Sequence, residues 1–230
     1  MAITVEHHPT HATIRLDRAA RANAYDDAHL SMLDEALDAL DAAPPGVVVI
    51  EAAGDGAFCA GADLGQLKQA TPLSALDLRS QRLFHRIATA PFVSIAAVHG
   101  PAVAGGCELA LACDLRVVGP RARFSLPETE LGLIPSAGGT TRLTRLLGPA
   151  LARQVILAGR IIDAEEAVRW GLALSLHDDP RQAAADLAAR VARRDPVANR
   201  LAKEIIAGDD GRSLWAERVA EALLYSRRDG

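Results

Sequence analysis

The stretch Val47-Val48-Val49-Ile50-Glu51-Ala52-Ala53-Gly54-Asp55-Gly56-Ala57-Phe58-Cys59-Ala60-Gly61-Ala62-Asp63-Leu64 fixes the fold class. Four β-branched residues in a row, without polar alternation, predict a strand buried on both faces. The segment 54–61 then predicts a loop at the C-terminal end of that strand. Upstream, from Asp26 or Asp27 as N-cap, Leu30, Leu33, Leu37 and Leu40 recur at three- and four-residue steps until Pro44-Pro45-Gly46 ends the helix. Before it, Ile3-Thr4-Val5-Glu6 and Ala12-Thr13-Ile14-Arg15-Leu16 alternate apolar and polar around a His/Pro turn, the pattern of a hairpin.

Downstream the cycle returns. A polar helix around 73–89 leads through Pro91 to an apolar strand at 92–98. Gly100-Pro101-Ala102-Val103-Ala104-Gly105-Gly106 forms a second glycine-rich break, opening a helix that contains Cys107 and Glu108. Leu115-Arg116-Val117-Val118 reads as a third buried strand. Strand, turn, helix and strand with short connections predict an α/β core with parallel strands. From Thr140 onward the strand signal disappears, and 140–225 reads as successive helices punctuated by Gly148-Pro149, Gly159, Gly171, Asp179-Pro180, Asp195-Pro196 and Gly208. The expected division is a core at 1–140 and a helical C-terminal region at 141–230.

The chain has 230 residues, half of them apolar, enough to bury a sizeable core. Its 25 basic and 29 acidic residues give a net charge of −4 and are spread along the chain, which argues against nucleic acid or an anionic membrane as partner. Cys59, Cys107 and Cys113 have no CxxC spacing and no accompanying ligand histidine, so they are expected as reduced, buried thiols. No basic and then apolar leader opens the sequence, and no apolar run approaches the roughly 20 residues that span a bilayer. A cytoplasmic location is expected. Neither glycine-rich loop fits GxxxxGK[ST] or GxGxxG, and GxSxG, HExxH and metal-spaced Cys/His clusters are absent, so nucleotide binding, serine hydrolysis and zinc hydrolysis lack their signatures.

Both glycine-rich loops lie beyond the C-terminal ends of strands, where ligands bind in open α/β sheets. Glycine lets the backbone approach a ligand, and free N–H groups near a helix N-terminus stabilise negative charge. Glu108 sits in the apolar run 107–112, where a carboxylate is costly to bury unless it is paired or functional. Its other reading is an acid complementing the helix dipole. Glu128 follows Pro127 after the strand-like 122–126, and with Glu130 close by, either acid reads equally as a solvated turn residue.

Three long motifs carry a specific resemblance: Phe58-Cys59-Ala60-Gly61-Ala62-Asp63-Leu64; Ala96-Ala97-Val98-His99-Gly100 through Gly105-Gly106-Cys107-Glu108-Leu109-Ala110-Leu111-Ala112-Cys113-Asp114; and Phe124-Ser125-Leu126-Pro127-Glu128 through Leu131-Gly132-Leu133-Ile134-Pro135-Ser136-Ala137-Gly138-Gly139-Thr140. In order and spacing the chain resembles the enoyl-CoA hydratase/isomerase (crotonase) family, from Leu16-Asp17-Arg18 with Asn23-Ala24 to the last helix. The resemblance implies a ClpP/crotonase-type α/β core of repeated ββα units, followed by a helical region that mediates a homotrimer, often as a dimer of trimers.

It further implies an oxyanion hole from the backbone N–H groups of Ala62 and Gly105, and contacts to coenzyme A or the acyl group from Arg21, Ala22, Ala24, Ala60, Gly61, Asp63 and Leu64. Val103, Gly106, Pro127 and Leu131 extend the same binding path. Coenzyme A enters as part of the substrate; no tightly bound cofactor and no metal are implied. Glu108 and Glu128, 128 − 108 = 20 residues apart, match the acid/base pair of the family's hydratases, which add water to a 2-enoyl-CoA, with fatty-acid β-oxidation as the usual setting. The rival readings are a 3,2-enoyl-CoA isomerase, using one glutamate, and a non-catalytic acyl-CoA-binding scaffold. The sequence departs from the family at Ala19, where a proline is usual, and at Gly65, where a charged residue is common. Relatives also continue with a further helix after the one at 213–227, whereas Gly230 is the last residue here.

Overall fold

The computed structural model describes residues 2–67, 71, 75–208 and 213–226. The N-terminal alternation forms the expected hairpin, β1 (Ala2–His7) against β2 (Ala12–Asp17), antiparallel with Ala2 opposite Asp17 and His7 opposite Ala12. Helix α1 (Asp27–Ala42) follows a 3₁₀ turn. Asp26 is its N-cap, accepting a hydrogen bond from the His29 N–H at 3.1 Å, a cap that contributes about 1 kcal/mol. The leucine stripe Leu30, Leu33, Leu37 and Leu40 is buried as its spacing predicts.

Next come β3 (Val47–Ala52), the single helical turn α2 (Leu64–Leu67), α3 (Arg79–Thr89) and β4 (Val93–Val98). The polar helix expected around 73–89 is α3 in its later part; 73 and 74 lie outside the described residues. The chain continues through β5 (Pro101–Val103), α4 (Gly105–Ala112), β6 (Leu115–Val118), β7 (Arg123–Ser125) and a 3₁₀ turn at Glu128–Leu131. The remainder comprises α5 (Gly139–Ala158), β8 (Ile162–Asp163), α6 (Ala164–Arg169), β9 (Ser175–Leu176), α7 (Pro180–Val191), α8 (Pro196–Ala207) and α9 (Ser213–Ser226).

The main sheet runs β1-β2-β3-β4-β6-β9, parallel apart from the β1–β2 hairpin, and a small sheet runs β5-β7-β8. In β3 the unbroken apolar run serves two cores. Val48 and Ile50 enter the larger one, while Val47 and Val49 meet Ile95, Ala97, Val117 and the α7 residues Ala184, Leu187 and Ala188 on the other face. The α/β core with parallel strands therefore stands.

Three expectations need correction. Strands do not end at Thr140: β8 and β9 each add two residues to a sheet edge, too few to produce a period. The 100–106 segment is not a plain break either, because Pro101, Ala102 and Val103 pair in parallel with Arg123, Phe124 and Ser125. Proline is tolerated there because it occupies the first position of an edge strand. The Gly148-Pro149 pair kinks α5 rather than ending it, with Gly148 at φ 76°.

Candidate active site

Backbone contacts bring the two strand-end loops together. Cys59 N–H donates to Pro101 O at 3.3 Å and Val103 N–H to Cys59 O at 2.9 Å, a parallel bridge between the loops. Only glycine fits at 106, since a Cβ there would lie 2.0 Å from Cys59 O. On its other side the first loop pairs with Tyr25, whose N–H donates to Gly61 O at 2.9 Å and whose carbonyl accepts from Asp63 N–H at 2.8 Å. This pattern spends the groups flanking Ala62 and turns the Ala62 N–H away from its partner strand. Asn23 ties the N-terminal turn to the same loop, donating to Ala53 O at 3.1 Å and Ala57 O at 2.8 Å.

Gly105 opens α4, so its N–H belongs to the first turn and has no intrahelical acceptor. Among the described residues, neither the Ala62 nor the Gly105 N–H donates to a protein group. The preceding Ala104 has φ 50° and ψ −125°, a conformation that costs a non-glycine residue about 1–3 kcal/mol. It is held there by its N–H on Ser125 O at 2.9 Å and by Glu108 N–H on its own carbonyl at 3.0 Å. The strain falls at the residue whose peptide presents the Gly105 N–H. The two loops meet closely: a Cβ at Gly61, itself at φ +88°, would lie 2.9 Å from Gly105 N.

Glu108, one turn into α4, is only 4 % exposed. Its Oε1 accepts from Ala137 N–H at 2.7 Å and Gly139 N–H at 2.8 Å, the groups at the start of α5. Burial pushes its carboxyl up to about 7; the Glu128 charge adds to that rise, while the Gly139 and Ala137 N–H bonds and Arg142 oppose it. Three bonds brace the loop that delivers these donors: Thr140 Oγ1 to Pro135 O at 2.8 Å, Gln81 Nε2 to Ser136 O at 2.6 Å, and Arg142 Nη1 to Ala137 O at 2.9 Å. Glu128 starts the 3₁₀ turn, and its buried Oε2 has no hydrogen-bond partner among the described residues. Burial raises its proton affinity as well.

Glu108 and Glu128 line one open cleft. Of the residues singled out from the sequence, Ala60, Ala62, Val103 and Gly105 line one side of it with Glu108, and Pro127, Glu128 and Leu131 the other. Arg21 and Ala22 are exposed on the neighbouring turn, where Ala22 O accepts from Ala60 N–H at 3.0 Å and Ala24 O from Arg18 Nη1 at 3.0 Å. Asp63 is occupied by Arg18 at 3.3 Å and by the Gly65 N–H at 2.9 Å. Gly61 and Gly106 form the loop-to-loop contact, and Leu64 is the first residue of α2.

The sequence reading missed Tyr25, Ser80, Ser136 and Ala137, which also line the cleft. Tyr25 directly follows the Asn23-Ala24 motif, and that adjacency was the available signal. Ser136 and Ala137 stand within the third motif without having been singled out, and Ser80 comes from a segment with no motif of its own. Among the described residues, no three His, Cys, Asp or Glu side chains are grouped to hold a metal ion, and no helix is long and apolar enough to cross a membrane.

Comparison with known proteins gives the family. The sequence profile of the Enoyl-CoA hydratase/isomerase family matches residues 6–227. A probable enoyl-CoA hydratase of Mycobacterium leprae is 36% identical over 94% of this chain and 82% of its own length. The 2,3-dehydroadipyl-CoA hydratase of Escherichia coli is 36% identical over 93% of this chain and 84% of its own. The crystal structure of an enoyl-CoA hydratase from Bacillus anthracis superposes with a TM-score of 0.91 at 35% identity, covering 96% of this chain and 90% of that one. With two strand-end loops, two cleft carboxyl groups and a match along nearly its whole length, the chain belongs to the enoyl-CoA hydratase/isomerase family.

Proposed function

We infer that the chain adds water across the 2,3-double bond of a 2-enoyl-CoA, giving a 3-hydroxyacyl-CoA. The observation that carries this reading is the pair of carboxyl groups with raised proton affinity facing one cleft beside two unspent main-chain N–H groups. Burial raises the proton affinity of both carboxyls and the Glu128 charge raises that of Glu108 further, so the two titrate as a coupled pair, and in this reading one member is ionised while the other holds a proton. The ionised member takes a proton from a water held between them as its oxygen bonds to C3. The double-bond electrons then move to form the enolate, whose oxygen accepts from Ala62 and Gly105 N–H. The protonated member delivers its proton to C2. Each lost donor of this type costs about 10²–10³ in rate.

Arg21 on its exposed turn is the phosphate contact of this reading, with the backbone around Ala22, Ala24 and 60–64 receiving the nucleotide. Residues 1–140 carry all of these groups. The region 141–230 covers the second face of the sheet through α7 and carries exposed Leu157, Ile161 and Leu174, which suit burial between subunits of a homotrimer or a dimer of trimers. Three unpaired buried cysteines accord with a reducing compartment such as the cytoplasm. Light scattering on the purified chain tests the assembly, with three or six copies expected.

The reaction is tested with crotonyl-CoA and longer 2-enoyl-CoAs in oxygen-18 water, following loss of the conjugated thioester absorbance and label at C3. Conversion of a 3-enoyl-CoA with no label in the product would replace hydration by isomerisation. No conversion of any substrate would remove the assignment.

A further inference from the structure

Tyr25 has no part in the reaction outlined above, yet its side chain reaches the centre of the site. Its main chain is joined on both flanks to the loop that presents the Ala62 N–H. Its side chain runs from there to the other loop: a Cβ built on Gly105 would lie 2.0 Å from the Tyr25 hydroxyl and 2.9 Å from its Cζ. The phenol occupies the space that a side chain at 105 would need. Position 105 is thus tied to glycine by Tyr25, although its φ is not in the left-handed region.

The ring is wedged edge-on against Phe84, with centroids 5.9 Å apart and planes at 88°. Its back closes a small apolar pocket with Leu30, Leu33 and Leu109. Tyr25 also lines the catalytic cleft with Ser80, which lowers the phenol's proton affinity, and it feels the charges of both Glu108 and Glu128. One side of the ring is therefore packed and apolar, while its polar tip lies between the two loops. Burial moves the phenol well above its ordinary titration range, so it stays neutral and serves as a donor rather than as a base.

We propose that Tyr25 is a further catalytic residue, its phenolic O–H donating a third hydrogen bond to the thioester oxygen alongside the Ala62 and Gly105 N–H groups. The inference rests on the CoA-thioester reading of the cleft. It explains why the tyrosine tip abuts the residue that supplies one main-chain donor. A side-chain donor set against two rigid main-chain donors adds stabilisation where charge develops, without any proton being transferred.

The test uses the full chain, wild type and Tyr25→Phe, which keeps the ring, its edge contact with Phe84 and the apolar pocket. Thermal unfolding comes first, to establish that the variant folds. Two readouts follow: kcat and KM for crotonyl-CoA, and the infrared carbonyl band of bound butyryl-CoA carrying carbon-13 at the thioester carbon. Tyr25→Phe is expected to lower kcat by about 10- to 100-fold with KM little changed, and to leave the bound carbonyl band less shifted from its position in water. A pocket-wall role would alter KM and leave the band in place. Unchanged kcat, or lost activity with an unmoved band, overturns the proposal.

If the wild-type chain shifts the band but hydrates nothing, hydration fails while the band still decides on Tyr25. If butyryl-CoA does not bind at all, both readings fall. Should Tyr25→Phe not fold, Ser80→Ala, which removes a group that lowers the phenol's proton affinity and so leaves it a weaker donor, is expected to move the band in the same direction by less; no movement overturns the proposal there too.

Discussion

Glu108 and Glu128 face one cleft from walls built in different ways. Glu108 stands on α4, every residue of which is buried, and its carboxyl is gripped by two N–H groups at 2.7 and 2.8 Å. Glu128 stands on a 3₁₀ turn with no fully buried residue, which ends on Leu131 and is followed by Leu133 and Ile134, all three exposed, and its Oε2 has no partner among the described residues. The first carboxyl is positioned by the main chain, the second by its surroundings alone. Such a division suits an enzyme that keeps its chemistry fixed while one wall adapts to the acyl group. Main-chain donors at a helix start also let the Glu108 carboxylate exist in a site where burial opposes it.

The largest effects should come from removing either acid. Glu108→Gln and Glu128→Gln are each expected to lower kcat by about 10²–10⁴ with little change in KM, and the double variant to be scarcely worse than the poorer single one, because both groups act on the same water. Additive losses would show that the two acids serve separate steps. Shortening the side chains sharpens the contrast between the walls. Glu108→Asp withdraws the carboxyl from the Ala137 and Gly139 donors and should approach the glutamine variant in severity. Glu128→Asp abandons no such bonds and should retain more activity; equal losses would contradict the difference between the walls.

Stability should separate them by a smaller margin. Glu108 has its carboxyl raised from 4.5 to about 7 in the folded chain. For a raised group the stability contribution is complete below the unfolded value and is lost as pH rises through the folded one. Glutamine keeps an oxygen for the two N–H donors and does not ionise. Glu108→Gln should therefore gain on the wild type between about pH 5 and about pH 8, by about 2 kcal/mol in denaturant midpoint experiments. Glu128, raised in the same direction but less enclosed, should give a smaller gain when replaced by glutamine. A Glu108→Gln variant with the same advantage at both ends of the range would mean that the buried carboxyl is already relieved by its donors.

How far these walls were legible in the sequence follows their construction. The doubly buried β3, the leucine stripe of α1 and the hairpin at the N-terminus announce themselves because burial leaves a period or an unbroken run. Glu108 stood out because a carboxyl in the apolar 107–112 run has few structural excuses. Glu128 stood out only through its place in the family motif, since by itself Glu130 in the same turn looks equivalent until the fold places one of them in the cleft. The donors to Glu108 are peptide N–H groups of Ala137 and Gly139, which no side-chain pattern encodes. Tyr25 and Ser80 meet the site only through tertiary contact across α3 and the N-terminal turn. The strands β8 and β9, two residues each, leave no trace at all.

The smallest effect concerns the charge behind the Glu108 wall, and it has no counterpart among the influences acting on Glu128. Arg142, on the first turn of α5, donates to Ala137 O at 2.9 Å and to Phe84 O at 3.4 Å, and its charge lowers the proton affinity of Glu108. It works through another residue and so positions rather than reacts. Removing the charge in Arg142→Gln lets burial dominate, so the Glu108 carboxyl should titrate above about 7. Because the water needs an ionised acceptor, the acidic limb of the kcat–pH profile should move to higher pH. At neutral pH kcat should fall a few-fold, about 0.5–1 kcal/mol, and the gap from wild type should narrow as pH rises. Arg142→Lys restores a charge but not a planar fork that spans two carbonyls. It should return the limb toward its wild-type position while recovering only part of the rate. A limb that stays in place while kcat falls would mean that Arg142 acts by bracing the Ala137 loop alone, and the charge would then have no share in setting apart the two walls.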